Sequence, residues 1–230
     1  MKKHIVAIGG GGFGKSNSSY SIEKYILNLS EKKYPKICFL PTATGDSDTY
    51  IVRFYSIFTL LNCIPSHIEF FKRTTDIHNH IMNQDIVFVG GGNTKSMLAI
   101  WNDWGMSSML NEAYNEGVIM SGVSAGAICW FTSGITDSWD NQLRILPCLD
   151  FIKGTCCPHY DEEPSRIPYV KKIIMEKKIT SCISIEGGSA IHFIDGEPFK
   201  NVSFKNNKNT YNVFLNNNDI VESPYEKIQL

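Results

Sequence analysis

Five short apolar runs, each followed by a helical pattern, constrain this chain more than any other feature. They cover residues 4–8, 36–40, 67–71, 86–89 and 118–120, and they are β-branched and continuous rather than alternating. A strand reads that way when both of its faces are buried, as in a parallel sheet covered by helices. Helical patterns fall between them, over residues 21–33, 48–62, 94–101, 107–116 and 125–131. The order predicts an α/β fold: a doubly wound, mostly parallel sheet flanked by helices. A strand-like segment at 151–157 and a further helix at 165–178 follow, and then the pattern changes. Residues 181–185, 190–194, 202–205 and 210–214 read as strands, and Asn206-Asn207-Lys208-Asn209 has hairpin composition. The carboxyl end is therefore expected to add an antiparallel extension to one sheet. The 230 residues suit a single domain over 1–230, with no linker and no internal repeat.

Net charge is −1, which gives no electrostatic reason to expect nucleic acid or an acidic membrane surface. Seven cysteines are scattered without a C-x-x-C pair, so neither a zinc knuckle nor a redox motif is indicated, and no metal is expected. Buried free thiols fit a reducing compartment. The amino-terminal apolar run enters glycines too soon for a signal segment, and no stretch reaches the length of a membrane span. The expected location is cytoplasmic, with no membrane partner.

The run at 118–120 leads into Gly122-Val123-Ser124-Ala125-Gly126-Ala127. Strand, sharp turn and helix with serine at the turn is the G-x-S-x-G nucleophile elbow. Small neighbours let the turn close, and the free N–H of Ala125 faces a developing oxyanion. A second loop, Gly90-Gly91-Gly92-Asn93-Thr94, follows the strand at 86–89. Asn93 or Thr94 is a natural N-cap there. Gly91 or Gly92 can supply a second oxyanion donor, and Asn93 is a candidate substrate contact beside it. The first glycine cluster, Gly9-Gly10-Gly11-Gly12-Phe13-Gly14, contains G-x-G-x-x-G after a strand. A dinucleotide site also needs an acid at the end of the next strand, and Cys38-Phe39-Leu40-Pro41-Thr42-Ala43-Thr44 has none. No cofactor is expected.

A serine needs a base, and six histidines are available. His4 and His67 sit in or at the start of strands. His78 and His80, two apart, do not share a helix face and make a poor metal pair. His159, in Cys157-Pro158-His159-Tyr160-Asp161, ends a strand and precedes an acidic loop, so it is the candidate base. Two acids can orient it. Glu186 ends the strand at 181–185, and Asp137 lies beyond the elbow helix. A strand terminus holds a carboxylate more rigidly, which favours Glu186 and leaves Asp137 open. Asp161, Glu162 and Glu163 read as a solvated loop.

Four motifs in this order resemble the dipeptidase E and cyanophycinase family of serine peptidases: Gly91-Gly92-Asn93-Thr94, Gly122-Val123-Ser124-Ala125-Gly126-Ala127, Pro158-His159-Tyr160 and Ile185-Glu186-Gly187-Gly188-Ser189-Ala190. The family fold is similar to the class I glutamine amidotransferase domain. The resemblance implies Ser124 as nucleophile, His159 as general base, and the Gly92 and Ala125 amides as oxyanion hole. Dipeptidase E-like members imply an aspartate near Asp137 as third member, cyanophycinase-like members a glutamate at Glu186. It also implies hydrolysis of short peptides with an amino-terminal aspartate, whose carboxylate Arg166 is placed to grip. An aspartyl-arginine polymer is the alternative substrate, and a non-catalytic ligand-binding module the alternative role.

Overall fold

The computed structural model describes residues 2–12, 19–74, 76–140 and 142–230. Phe13 and Gly14, which end the first glycine cluster, lie outside the described residues. The chain alternates β1 (His4–Ile8), α1 (Ser21–Leu27), β2 (Lys36–Leu40), α2 (Asp48–Phe58), β3 (Ile64–His67), α3 (Ile77–Met82) and β4 (Ile86–Val89). It continues through α4 (Thr94–Asp103), α5 (Met106–Asn115), β5 (Ile119–Val123) and α6 (Ala125–Ile128). Then come β6 (Phe131–Trp139), β7 (Gln142–Pro147), β8 (Ile152–Cys157), α7 (Arg166–Met175), β9 (Ser181–Ile185) and β10 (Ser189–Ile194). The last strands are β11 (Glu197–Ser203), β12 (Thr210–Asn216), β13 (Asp219–Pro224) and β14 (Lys227–Gln229).

Two sheets result, with orders β14-β11-β10-β1-β5-β4-β2-β3 and β13-β12-β9-β8-β6-β7. In the first, β1, β5, β4, β2 and β3 run parallel. Strands β10 and β11 extend it antiparallel, and β14 runs with β11. In the second, β6, β8 and β9 are parallel, while β7, β12 and β13 pair antiparallel. The continuous apolar runs explain themselves here. Ile5 and Ala7 of β1 enter one core with Leu40, Val89 and Met120. Val6 and Ile8 enter the other with Phe39, Phe88 and Phe54. A period of two sends neighbours to opposite faces, so a strand covered on both sides must be apolar throughout.

The fold class is α/β as expected, but the sheet count and several boundaries differ. The segment expected as one helix at 125–131 is a four-residue helix that gives way at once to β6, because Trp130 and Phe131 are fully buried where the second sheet begins. The carboxyl end extends both sheets rather than one. Residues 206–209 are not a hairpin; they carry the chain from β11 in the first sheet to β12 in the second. Strand β3 is Ile64–His67, not 67–71, since the buried Asp46 carboxylate takes the Phe70 and Phe71 amides and ends the ladder. The two sheets meet through a buried polar seam. Thr210 Oγ1 donates to Asn201 Oδ1 at 3.0 Å, and Ser189 Oγ donates to the Asn209 carbonyl at 2.8 Å.

At the far side of β1, His192 on β10 is 2% exposed. Its ring nitrogens meet His4 Nδ1 at 2.9 Å and the Tyr25 hydroxyl at 2.8 Å. Burial, then the neighbouring His4, pushes its pKa down from 6.5 to about 4. The unfolded chain therefore binds a proton below about 6.5 that the folded chain refuses. Stability from this group is complete above that pH and is lost as pH falls toward 4, with a limiting slope of about 1.4 kcal/mol per pH unit. Urea unfolding from pH 7 downward is expected to show a shallower loss for His192→Gln than for the wild type; equal slopes would place the acid sensitivity elsewhere.

Candidate active site

Strands β1, β5 and β4 are adjacent and parallel, so their carboxyl ends open side by side, where ligands bind in such sheets. Ser124 leaves β5 with φ 57° and ψ −109°, a conformation non-glycine residues rarely take. Close packing imposes it. A Cβ on Gly126 would lie 2.2 Å from the Val89 carbonyl oxygen, and one on Gly122 would lie 2.3 Å from that of Gly126. Only glycines let β5 and α6 approach β4 so closely. The Ser124 amide is held by the Ile8 carbonyl of β1 at 3.0 Å.

His159 follows β8 in the other sheet and also has positive φ, 52°. Its amide donates to the Gly9 carbonyl at 3.1 Å. This brings Nε2 to 2.9 Å from Ser124 Oγ. Nδ1 lies 2.5 Å from Glu162 Oε2. The Glu162 amide donates back to the His159 carbonyl at 3.1 Å, a tight turn that folds the carboxylate onto the ring. Two glycines make room for it: a Cβ on Gly10 would lie 2.4 Å from Glu162 Oε2, and one on Gly187 would lie 2.1 Å from Glu162 Cδ. An ionised carboxylate only accepts, so it sets Nδ1 as the protonated nitrogen and leaves Nε2 to accept from the serine hydroxyl.

The carboxylate at His159 is therefore neither of the two expected. Glu186 turns to the other connection, where Oε2 accepts the Asn209 amide at 2.8 Å. Burial lifts its pKa, opposed by that hydrogen bond. Asp137 is exposed on β6, 4.0 Å from Arg166 Nη2. Arg166 does not present a cation to a cleft either. It is 3% exposed, with Nε on Glu163 at 2.7 Å and Nη1 on the Ile135 carbonyl at 3.1 Å. From sequence alone Glu162 reads, with its two acidic neighbours, as part of a solvated loop. They divide instead: Asp161 takes the Gly187 amide and Lys208, Glu162 the imidazole, Glu163 the guanidinium. The signal that could have found Glu162 is its spacing, three residues past the histidine.

The loop after β4 lies against the elbow. A Cβ on Gly91 would lie 3.3 Å from Ser124 Cβ and 3.9 Å from Oγ. Gly92 has φ 139°, and a Cβ there would lie 2.3 Å from the Ala43 carbonyl oxygen. The Gly92 amide meets no acceptor among the described residues. Ala125 opens α6, so its amide has no carbonyl one turn back within the helix. Asn93 is the N-cap of α4: its Oδ1 accepts the Ser96 amide at 2.9 Å. Its Nδ2 donates to the Ser138 carbonyl at 3.1 Å. Both ends of that amide are thus engaged within the fold, where a free substrate contact was expected. Among the described residues no group of histidine, cysteine and acidic side chains is placed to hold a metal ion.

A serine on a strained elbow, facing a histidine and a carboxylate at the carboxyl edge of an α/β sheet, is the arrangement that serine hydrolases use. Comparison with known proteins narrows this. The profile of Peptidase family S51 matches residues 5–200. The chain is 44% identical over 223 residues to a protein of Bacillus subtilis (strain 168), "Uncharacterized peptidase YgaJ", covering 96% of each. The chain belongs to Peptidase family S51 and is a serine peptidase. Its fold is similar to a putative peptidase E protein from Listeria monocytogenes EGD-e (TM-score 0.66, 18% identity, 89% of this chain and 100% of that one). It is similar again to a peptidase from an acI-B1 Actinobacterium (TM-score 0.67, 15% identity, 96% and 97%). The described helices include none long and apolar enough to cross a membrane.

The room at Gly187 gives a test free of any substrate. Gly187→Ala is expected to drive the Glu162 carboxylate off the imidazole and to erase the low-field proton NMR resonance of His159 Nδ1–H. A resonance unchanged in Gly187→Ala and lost instead in Glu186→Gln would assign the contact to Glu186.

Proposed function

We propose that the protein hydrolyses short peptides through an acyl-enzyme on Ser124, with His159 as general base and Glu162 as the acid that orients it. The observation that supports this most is the continuous line from Ser124 Oγ through His159 to Glu162, at 2.9 and 2.5 Å. His159 Nε2 takes the hydroxyl proton as Oγ bonds to the scissile carbonyl carbon. The carbonyl π pair moves onto oxygen, which the Gly92 and Ala125 amides receive. As the tetrahedral species collapses, His159 returns its proton to the departing amine and the C–N bond breaks. Water then repeats the sequence, with His159 again as base, and releases the acid and the serine. Each oxyanion donor is worth roughly 3–4 kcal/mol of barrier.

An amino-terminal aspartate loses its main structural support, because Arg166 is engaged by Glu163 and the Ile135 carbonyl. The substrate reading is therefore short peptides, with acidic preference an outcome to be measured.

Release of free amino acid from Asp-Leu and from a panel of non-acidic dipeptides is the experiment, with wild type, Ser124→Ala, Glu162→Gln, Glu186→Gln and Asp137→Asn. Ser124→Ala is expected to abolish cleavage. Glu162→Gln should lower kcat by about 10³–10⁴-fold, the scale of losing the orienting acid in a triad. Glu186→Gln and Asp137→Asn should stay within a few fold. Full activity in Ser124→Ala would overturn the mechanism, and a larger fall in Glu186→Gln than in Glu162→Gln would reassign the acid.

A further inference from the structure

The four amides of the loop after β4 do not point the same way. Gly90 donates to the Leu40 carbonyl at 3.0 Å and Asn93 to the Ala43 carbonyl at 2.8 Å. Gly91 donates to the Tyr50 hydroxyl at 3.2 Å. Gly92, next to the glycine that packs on Ser124, has an amide without an acceptor among the described residues. Three amides thus anchor the loop to the end of β2, to the connection that follows it and to the first turn of α2, and one remains for chemistry. Two of the three anchors are backbone carbonyls that any sequence would supply. The third is a side chain.

We infer that Tyr50 is a positioning residue of the oxyanion hole: by accepting the Gly91 amide, its hydroxyl fixes the Gly90–Gly91 peptide plane and so, through the Gly91 dihedrals, steadies the neighbouring plane whose Gly92 N–H meets the reacting carbonyl. The inference rests on the reading of Ser124 as nucleophile and Gly92 as oxyanion donor. The surroundings of Tyr50 are built for a fixed ring. Phe39 meets it edge-on, with ring centroids 5.1 Å apart and planes at 85°. A Cβ on Gly90 would lie 2.8 Å from Tyr50 Cε1, so the loop rests directly on the ring. Burial raises the phenol pKa, with the Gly91 amide opposing, so the hydroxyl stays neutral through the working pH range. Gly91 itself is half-buried against Ser124, where a Cβ would lie 3.3 Å from the serine Cβ. Removing the hydroxyl would leave that amide without a partner, and such a group costs enough free energy for the peptide to rotate in search of one. Rotation about Gly91 turns the Gly92 amide as well, because the two share one segment of glycines with no side chain to resist it.

A ground-state peptide gains little from the Gly92 amide, whereas a tetrahedral oxyanion depends on it. The loss should therefore fall on kcat. Tyr50→Phe keeps the ring and its packing on Phe39. With a dipeptide that the wild type cleaves, Tyr50→Phe is expected to lower kcat about tenfold or more with KM within twofold. Inhibition by a peptide aldehyde, which forms the tetrahedral adduct, should weaken in parallel. Binding of uncleaved dipeptide to Ser124→Ala and to the Ser124→Ala, Tyr50→Phe double variant should be equal. An unchanged kcat, or a rise in KM alone, would overturn the inference. A backbone measurement on the wild type stands apart from any folding defect of the variant: the Gly91 amide should exchange with solvent much more slowly than that of Gly92, and equal exchange would overturn the inference too. If Ser124→Ala keeps full activity, the peptidase mechanism itself fails. If Ser124→Ala is inactive and Tyr50→Phe is fully active, only the role of Tyr50 falls.

Discussion

Two consecutive carbonyls at the end of β1 carry the site. Ile8 accepts the Ser124 amide and Gly9 accepts the His159 amide, at 3.0 and 3.1 Å. Ser124 belongs to the first sheet and His159 to the second, so these neighbouring bonds set the two catalytic candidates in register with each other. Both residues have positive φ. Each such conformation costs of order 1–3 kcal/mol and persists only where the surroundings over-determine it. Here the surroundings are β1 and β4, whose Ile5, Val6, Ala7, Ile8, Val87 and Val89 are completely buried. The rigid centre of the sheet absorbs the strain, and the side chains project from its edge.

The acidic turn after His159 shows how local geometry distributes charge. Asp161, Glu162 and Glu163 leave the backbone in three directions and meet three different partners. The Asp161 carboxyl is held below its ordinary pKa: burial would raise it, but Lys208 and the Gly187 amide outweigh burial. Those contacts brace the Gly187 backbone whose missing side chain makes space for Glu162. Glu163 neutralises Arg166, a buried guanidinium at the start of α7 whose other carboxylate neighbour, Asp137, is 4.0 Å away. The neighbours of Glu162 are thus part of what keeps it at the imidazole.

The central strands of the first sheet, β1, β2, β4 and β5, could be read from the sequence because they are buried on both faces and therefore continuous in hydrophobicity. The second could not be read in full. β7 mixes exposed and half-buried positions, and β13 is exposed along much of its length, so neither carries a strong pattern. The segment after Ser124 reads as helical because Ala125, Ala127, Ile128 and Phe131 fit a helical face, yet the helix stops at Ile128, where burial of Trp130 and Phe131 opens the second sheet. The elbow was legible because its glycines are contiguous with the serine in sequence. The Tyr50 contact was not, since it joins residues 41 positions apart and leaves no local mark.

The orienting acid shows why contact geometry outranks a motif. Glu186 sits at a strand terminus, and rigidity at that position was the argument for it. The same rigidity works against it here: the β9 ladder continues through Glu186, whose amide donates to the Asn209 carbonyl at 3.1 Å while its carboxylate takes the Asn209 amide. Backbone and side chain thus form a closed pair with the start of β12. Drawing the carboxylate to His159 would leave the Asn209 amide unpaired. Glu162 bears no such obligation among the described contacts, and it lies on the same turn as the histidine. Wherever the imidazole goes, its carboxylate travels with it, and alignment of the pair does not depend on the spacing between two sheets.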